Sequence, residues 1–477
     1  MAFSDTAQGI SAIRMPVAGR DRLAQWMCAA ILLSCMLAII VHVTYIAAAP
    51  LDDTNANAQA LLEAADGDDS KKFIYTFFFG SVFLLAGTRR MFDSISWPYR
   101  LAIAWCLLSC VWAIDPGVSI RRSVAMVMIL VAVSGCIRVL GARRTLKIVY
   151  AALALILLSS FVSVALAYGQ VSVFLFAIHP ANEADPTLVG AWRGVMMHKN
   201  VAGAVMTHAS IIFLHFSLNR GRRIDWLLFV GSIIFLIGTK SKTSLALDGV
   251  ILAIGMVYRL SALRAGGLKI FSITMLYGLI SASIIGWALS DEIGRYFSDP
   301  DSVSGRVAIW TSLMTYIRSH PILGSGYGSF WTIGNNSPIY AIATKPFILG
   351  IGHSHSGYFE ILVTCGVVGL CLAVFALVIW PLYRFLTVKP TDAKLGALCF
   401  SVWLFGVLQN FTESQFFAAD KQSWLFVVIS ICLIQNIAVA RIRESARRAA
   451  MPRWLTLRVP STPKPIVTTG SPPGLAR

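Results

Sequence analysis

The stretch GIGHSHSGYFEILVTCGVVGL, from Gly350 to Leu370, puts two histidines, His353 and His355, and one acid, Glu360, at the edge of a long apolar run. Imidazole changes charge near neutral pH, which suits it to take a proton from a hydroxyl. A second set of residues is cationic. Arg121 and Arg122 follow WAIDPGVSI, and AWRGVMMHKNVAG holds Arg193, His198, Lys199 and Asn200. GTKSKTS holds Lys240 and Lys242, SGRVAIW holds Arg306, and Arg318 and His320 precede PILGSGYGSFW, which carries Tyr327. A guanidinium grips phosphate oxygens with a fork of donors and an ammonium acts as a point charge, so a pocket of such groups suits a diphosphate. Two readings stand. Long side chains at helix ends reach for water anywhere, or the set forms one pocket; basic residues beside Gly, Ser, Asn or Trp in five separate connections favour the pocket.

The elements that must position these groups follow from composition. Hydrophobic residues make up 57% of the 477 and charged residues 13%, an apolar excess that a water-soluble core does not need. Apolar stretches of roughly 20 residues recur, each able to cross about 30 Å of hydrocarbon. The reading is an all-α polytopic helical membrane protein with about twelve transmembrane helices. Spans are expected at 26–49, 73–88, 101–114, 120–137, 148–168, 195–218, 225–239, 243–258, 270–289, 357–383, 395–412 and 423–440. With the N-terminus in the cytoplasm, 27 of the 40 Lys and Arg fall in cytoplasmic segments, as the positive-inside rule requires. The organisation is then a cytoplasmic tail (1–25), nine helices (26–289), a long periplasmic loop (290–356), three helices (357–440) and a basic cytoplasmic tail (441–477). The first span ends in YIAAAP, a cleavage-like site after Ala49, but its apolar stretch is long for a signal segment, and it is read as retained. An acidic turn fills 50–72. The loop 290–356 is far longer than an ordinary connection, and its aromatic residues, Trp310, Tyr316, Tyr327, Phe330 and Trp331, argue that it is ordered.

Several chemistries are poorly supported. The net charge of +17 follows membrane topology rather than a basic, aromatic-laced nucleic-acid face, so no nucleic acid is expected. The nine cysteines all lie in apolar runs and read as small buried hydrophobes, not a disulfide frame or a zinc site. GSGYGSF lacks the third glycine and the strand-turn-helix setting of a dinucleotide fingerprint and reads as a tight turn. His353 and His355 lack third and fourth metal ligands. Glu360 reads either as a first-turn residue favoured by the helix dipole or as a residue orienting a histidine. Asp248, the one acid deep in a span, is a functional candidate by position, or else a structural acid paired with Lys242 or hydrogen-bonded.

The motifs AWRGVMMHKNVAG, SGRVAIW, HPILGSGYGSFW and HSHSGYFEILVTCGVVGL occur in this order. In that order, over roughly residues 100–430, the chain resembles the O-antigen ligase and polysaccharide polymerase superfamily, most closely its rhizobial-type exopolysaccharide (succinoglycan-like) polymerases. The resemblance implies an inner-membrane, metal-independent glycosyltransferase facing the periplasm, with no cofactor. Its donor, and in the polymerase form its acceptor, would be an oligosaccharide on undecaprenyl diphosphate, with membrane lipid around it and a chain-length regulator and repeat-unit flippase as partners. Carried over residue by residue, His355 matches the loop histidine that acts as base. Arg306 and Arg193 match the arginines placed on the diphosphate, and His198, Lys199 and Asn200 belong to the same RG…HxN motif as Arg193. Lys242 stands where arginine is common and Ser356 where asparagine is common; Lys242, His198, Lys199, Asn200, Tyr327, His353 and Arg122 are read as binding the substrate and its diphosphate. Transfer to a lipid A core is the alternative acceptor. A lipid-linked sugar transporter, which places charges near the bilayer midplane in repeated halves, fits less well, since no internal repeat is visible here.

Overall fold

Inside hydrocarbon no water serves the backbone, so an apolar chain must satisfy its N–H and C=O groups within helices. The computed structural model describes residues 19–41, 77, 80–82, 92–171, 177–179, 188–292, 295 and 305–450, and these are helical apart from turns and one isolated bridge between Ile178 and Trp192. The helices are α1 (Gly19–Ile40), α2 (Trp97–Leu108), α3 (Pro116–Tyr168), α4 (Lys199–Arg220), α5 (Arg223–Gly238), α6 (Lys242–Ala262) and α7 (Gly267–Ala288). After them come α8 (Arg306–Ser319), α9 (Ile339–Ile342), α10 (Gly357–Val374), α11 (Trp380–Leu386), α12 (Ala393–Gln409) and α13 (Gln422–Ala450). Among the described residues seven segments are long and apolar enough to cross a membrane. The chain is an all-α polytopic membrane protein. The expected span 73–88, the acidic turn 50–72, the end of the first span with its cleavage-like site, and the tail from 451 lie almost wholly outside the described residues.

Two breaks in long helices refine the expected spans. The stretches 120–137 and 148–168 lie in two helices, as expected, that follow one another within α3 and are joined by a turn at a single residue rather than by a basic loop. Gly141 has φ 70° and ψ 168°, a region open to glycine and costly for other residues. Arg143, Arg144 and Lys147 follow the turn and are exposed. The second break lies in the span expected at 357–383. Gly366 has φ 67° and ψ −174°, and the backbone groups freed there find new partners. Val363 O accepts from Ser325 N (3.0 Å), Cys365 O from Trp105 Nε1 (3.0 Å), and Val367 N donates to Pro321 O (2.9 Å). A Cβ on Gly366 would lie 1.9 Å from Ile322 O, so the loop docks against bare backbone. Past the break a π-helical turn, Phe375–Ile379, precedes Pro381, which has no N–H for Leu377 O. Trp403 Nε1 takes that carbonyl at 2.6 Å, the usual remedy for a proline in a helix.

The connections sort into two layers. In one, Ser241 before α6 meets Asn200 at the start of α4, Asn200 meets Glu413 beyond α12, and Gly357 N at the start of α10 bonds Asn410 O. In the other, Arg259 near the end of α6 bonds Asn219 near the end of α4, and Tyr258 Oη donates to Phe385 O. This is the sorting that alternating spans demand.

The described part of the long connection is ordered, as its aromatics suggest. α8, α9 and two 3-10 turns build a core of Ile309, Leu313, Tyr316, Phe330 and Trp331 that closes on Val363 of α10. The three glycines of GSGYGSF all have positive φ: Gly324 66°, Gly326 89° and Gly328 64°. A Cβ on Gly326 would sit 2.5 Å from Ala113 Cα. The motif is a tight turn pressed against the start of α3. Eight cysteines are buried as expected, whereas Cys371 is exposed, and all nine are free.

Replacing Gly366 by Val forces a β-branched residue into a left-handed conformation, at about 1–2 kcal/mol, and adds the clash with Ile322. Thermal unfolding in detergent should shift down by several degrees; an unchanged midpoint would contradict this account of the break.

Candidate active site

The HSHS loop is held from several sides. His355 has φ 52°, a strained value for a residue with a side chain. Its own N–H donates to His353 Nδ1 (3.2 Å). Ser354 N donates to Glu360 Oε2 (2.9 Å), which also accepts from Trp331 Nε1 (3.1 Å). Trp310 Nε1 donates to Ser354 O (3.0 Å), and Ser414 Oγ accepts from Ser356 N (3.1 Å). Glu360 lies in the first turn of α10, as the first of its two readings has it, and its carboxylate also holds the backbone N–H between the two histidines. Asn410 closes the same corner, its Oδ1 accepting from Gln415 N and Phe416 N at 3.0 Å each. A Cβ on Gly357 would lie 2.0 Å from that Oδ1, which fixes glycine at this position.

Across from the loop stands Arg306, the first residue of α8. Its Nη2 lies 3.4 Å from Glu413 Oε1, with side chains 14% and 17% exposed. Asn200 Nδ2 donates to the same oxygen at 3.2 Å, and Gly357 N donates to Glu413 O at 3.1 Å. Asn200 N donates to His198 Nδ1 at 3.2 Å. His198 and His353 thus use one device: Nδ1 accepts the N–H two residues on, which leaves Nε2 to carry the ring proton. His179 stacks edge-on to His198, with centroids 5.4 Å apart, and His353 to His355 at 4.1 Å. At this corner His355 Nδ1 and Arg306 Nε are buried without a hydrogen-bond partner among the described residues, as are several core atoms elsewhere, Tyr99 Oη and His208 Nε2 among them. Buried polar atoms are nearly always paired; here the two nitrogens lie on groups that also act on each other electrostatically.

The remaining sequence candidates divide. Lys199 is buried in the first turn of α4, beside Asn200. Lys242 is exposed and forms no hydrogen bond or ion pair among the described residues, and Asp248 accepts from Ser210 instead. Arg193 Nη1 donates to Met197 O at 3.3 Å within its own loop. Arg122 donates to Gly328 O (2.6 Å), Trp331 O (2.9 Å) and Thr332 Oγ1 (2.6 Å), clamping the glycine turn. Tyr327 Oη donates to Phe417 O (2.7 Å). Sequence reasoning gave no role at the site to Glu413 or Lys421. Lys421 pairs with Asp420 at 3.5 Å and acts electrostatically on both loop histidines. The available signal was the polar cluster NFTESQ between two apolar runs. Among the described residues no group of three or more His, Cys, Asp or Glu is arranged as a metal-ligand set.

The field in the pocket is positive. Burial first, then Arg306, His198 and Lys421, hold His355 down at about 4. Burial and then His355 hold His353 well below the ordinary imidazole range. Burial raises Glu413 against the opposing pull of Arg306 and Lys421. His355 is therefore neutral, and able to accept a proton, throughout the neutral range.

Residues 227–374 match the family model Wzy_C, described as O-antigen ligase. That supports the O-antigen ligase and polymerase superfamily and a membrane glycosyl-transferring role. The matched segment contains Lys242, Arg306, His353 and His355, whereas the motif with Arg193, His198 and Asn200, and Glu413, lie outside it. A comparison with curated proteins gives no match.

Unfolded, an imidazole titrates near 6.5. Between there and about 4 the unfolded chain holds a proton that folded His355 does not, so stability falls as pH drops through that window. Exchange of the imidazole C2 hydrogen, read by mass spectrometry against pH, should give His355 a midpoint near 4. Arg306→Gln should move the midpoint upward; a midpoint near 6.5 in the unaltered protein would contradict the geometry.

Proposed function

We propose that this protein is a periplasm-facing glycosyltransferase of the inner membrane that polymerises oligosaccharide repeat units carried on undecaprenyl diphosphate. The observation that carries the reading is the convergence of His355 with Arg306, each with a buried, unpartnered nitrogen. A neutral base and a cation in one pocket are what transfer from a lipid diphosphate needs. His355 takes the proton from the acceptor hydroxyl, and the freed oxygen attacks the anomeric carbon. The bond to the diphosphate breaks, and its electron pair leaves on the diphosphate oxygen. Arg306 and Arg193 stabilise the charge gathering there, and a single displacement inverts the anomeric centre. His198 and His353 offer Nε2–H donors, Lys199 and Lys242 add positive charge, and Asn200 orients Glu413. Arg122 and Tyr327 support the site by fixing the glycine turn beneath it. The reaction needs no cofactor. A flippase that delivers repeat units and a chain-length regulator are the partners such a polymerase requires.

The family description favours a second acceptor, the lipid A core. Product analysis separates the two: polymer lost on deletion supports the polymerase, and full-length polymer retained on its lipid carrier supports the ligase.

His355→Ala and Arg306→Ala, each present at normal levels, should lower polymer formation in a complementation assay by at least about 100-fold, the usual scale for a general base. Full polymer from either variant would remove that residue from its role.

A further inference from the structure

The three helices that frame the active site from below, α4, α6 and α12, separate again at their far ends. Counted along α6, Arg259 lies about 25 Å from Lys242. There a shallow, open crevice with a cavity volume of about 40 Å³ lies between the three helices. Its walls are apolar: Leu214 and Leu218 of α4, Leu252 and Met256 of α6, and Leu398 of α12. Its inner limit is a close crossing, where a Cβ on Gly255 would meet Ser401 Oγ at 2.1 Å. Its mouth is cationic. His215 and Arg259 line it, and Arg220 and Lys394 act electrostatically on His215.

Arg259 is positioned but not neutralised. Its Nη2 donates to Asn219 Oδ1 at 3.0 Å, and Asn219 Nδ2 donates to His215 O at 2.7 Å, which fixes the amide's orientation. Among the described residues Arg259 has no ion pair, and no carboxylate acts on it electrostatically. Asp225 of the neighbouring α5 instead accepts from Tyr150 Oη at 2.6 Å, and Asp392 precedes Lys394 at the start of α12. A guanidinium has five donors, and one is engaged here.

We propose that this crevice binds an anionic phospholipid, the phosphate at Arg259 with Lys394 beside it and one acyl chain along the leucine walls. An apolar slot with a cationic mouth, set in helices of membrane-spanning length, matches an amphiphile with a negative head better than a free anion. The site lies at the opposite helix ends from His355, so it is separate from the glycan pocket and does not rest on the proposed reaction.

The test is native mass spectrometry of the full-length protein released from detergent, with phosphatidylglycerol or phosphatidylcholine added in parallel. The unaltered protein should retain phosphatidylglycerol about fivefold over phosphatidylcholine, the preference expected of one cation near a lipid surface. Arg259→Gln should remove the preference, Arg259→Lys should keep part of it, and Leu252→Trp should reduce both adducts by filling the slot. Millimolar inorganic phosphate should not displace the lipid. Equal retention of the two lipids by the unaltered protein would overturn the proposal, as would displacement by phosphate.

Discussion

Glu413 is the joint on which the candidate site depends. Its carboxylate meets Arg306 of α8 and Asn200 of α4, and its carbonyl takes the N–H of Gly357 at the start of α10. One residue, just past α12, thus ties together three other elements. The side chains of the pair are mostly buried, so the charges are poorly screened, and removing either strands the other in a medium that solvates it badly. The pair also explains the field in the pocket. A lone guanidinium facing two histidines would be costly, and Glu413 offsets part of that charge while leaving Arg306 Nε unengaged.

His355 shows the same economy. A left-handed backbone at a histidine is strained, and it persists because His353, Ser354, Trp310, Glu360 and Ser414 over-determine the loop. The break at Gly366 belongs to this arrangement. By docking residues 321–325 against the opened backbone, the chain brings the glycine turn and the aromatic core of the long connection under the start of α10. Strain at the base, the break in the helix and the clamp at Arg122 are parts of one support.

Much of this was legible in the sequence. Apolar runs of membrane length located the helices; the cations beside small residues drew attention to Arg306 and His198, and the family resemblance named His355, Arg306, His198 and Asn200 as candidates, which the structure gathers around Glu413 and the HSHS loop. What stayed hidden is physically intelligible. A glycine within an apolar run reads as a tolerated residue, so the sharp turns at Gly141 and Gly366 left no mark; only tertiary partners distinguish them. Glu413 was hidden because a pairing between remote residues has no local pattern. Arg122 and Tyr327 resembled site residues because a side chain that holds a loop and one that holds a ligand carry the same donors.

The central claim is that Arg306 and Glu413 act as one unit around His355, and a double-mutant cycle tests it most directly. The measurement is kcat/KM for transfer from an undecaprenyl-diphosphate-linked oligosaccharide by purified protein in lipid nanodiscs, for Arg306→Gln, Glu413→Gln and the double variant. The account predicts strong non-additivity, with the double variant no slower than the slower single variant. Losses that multiply independently would contradict it.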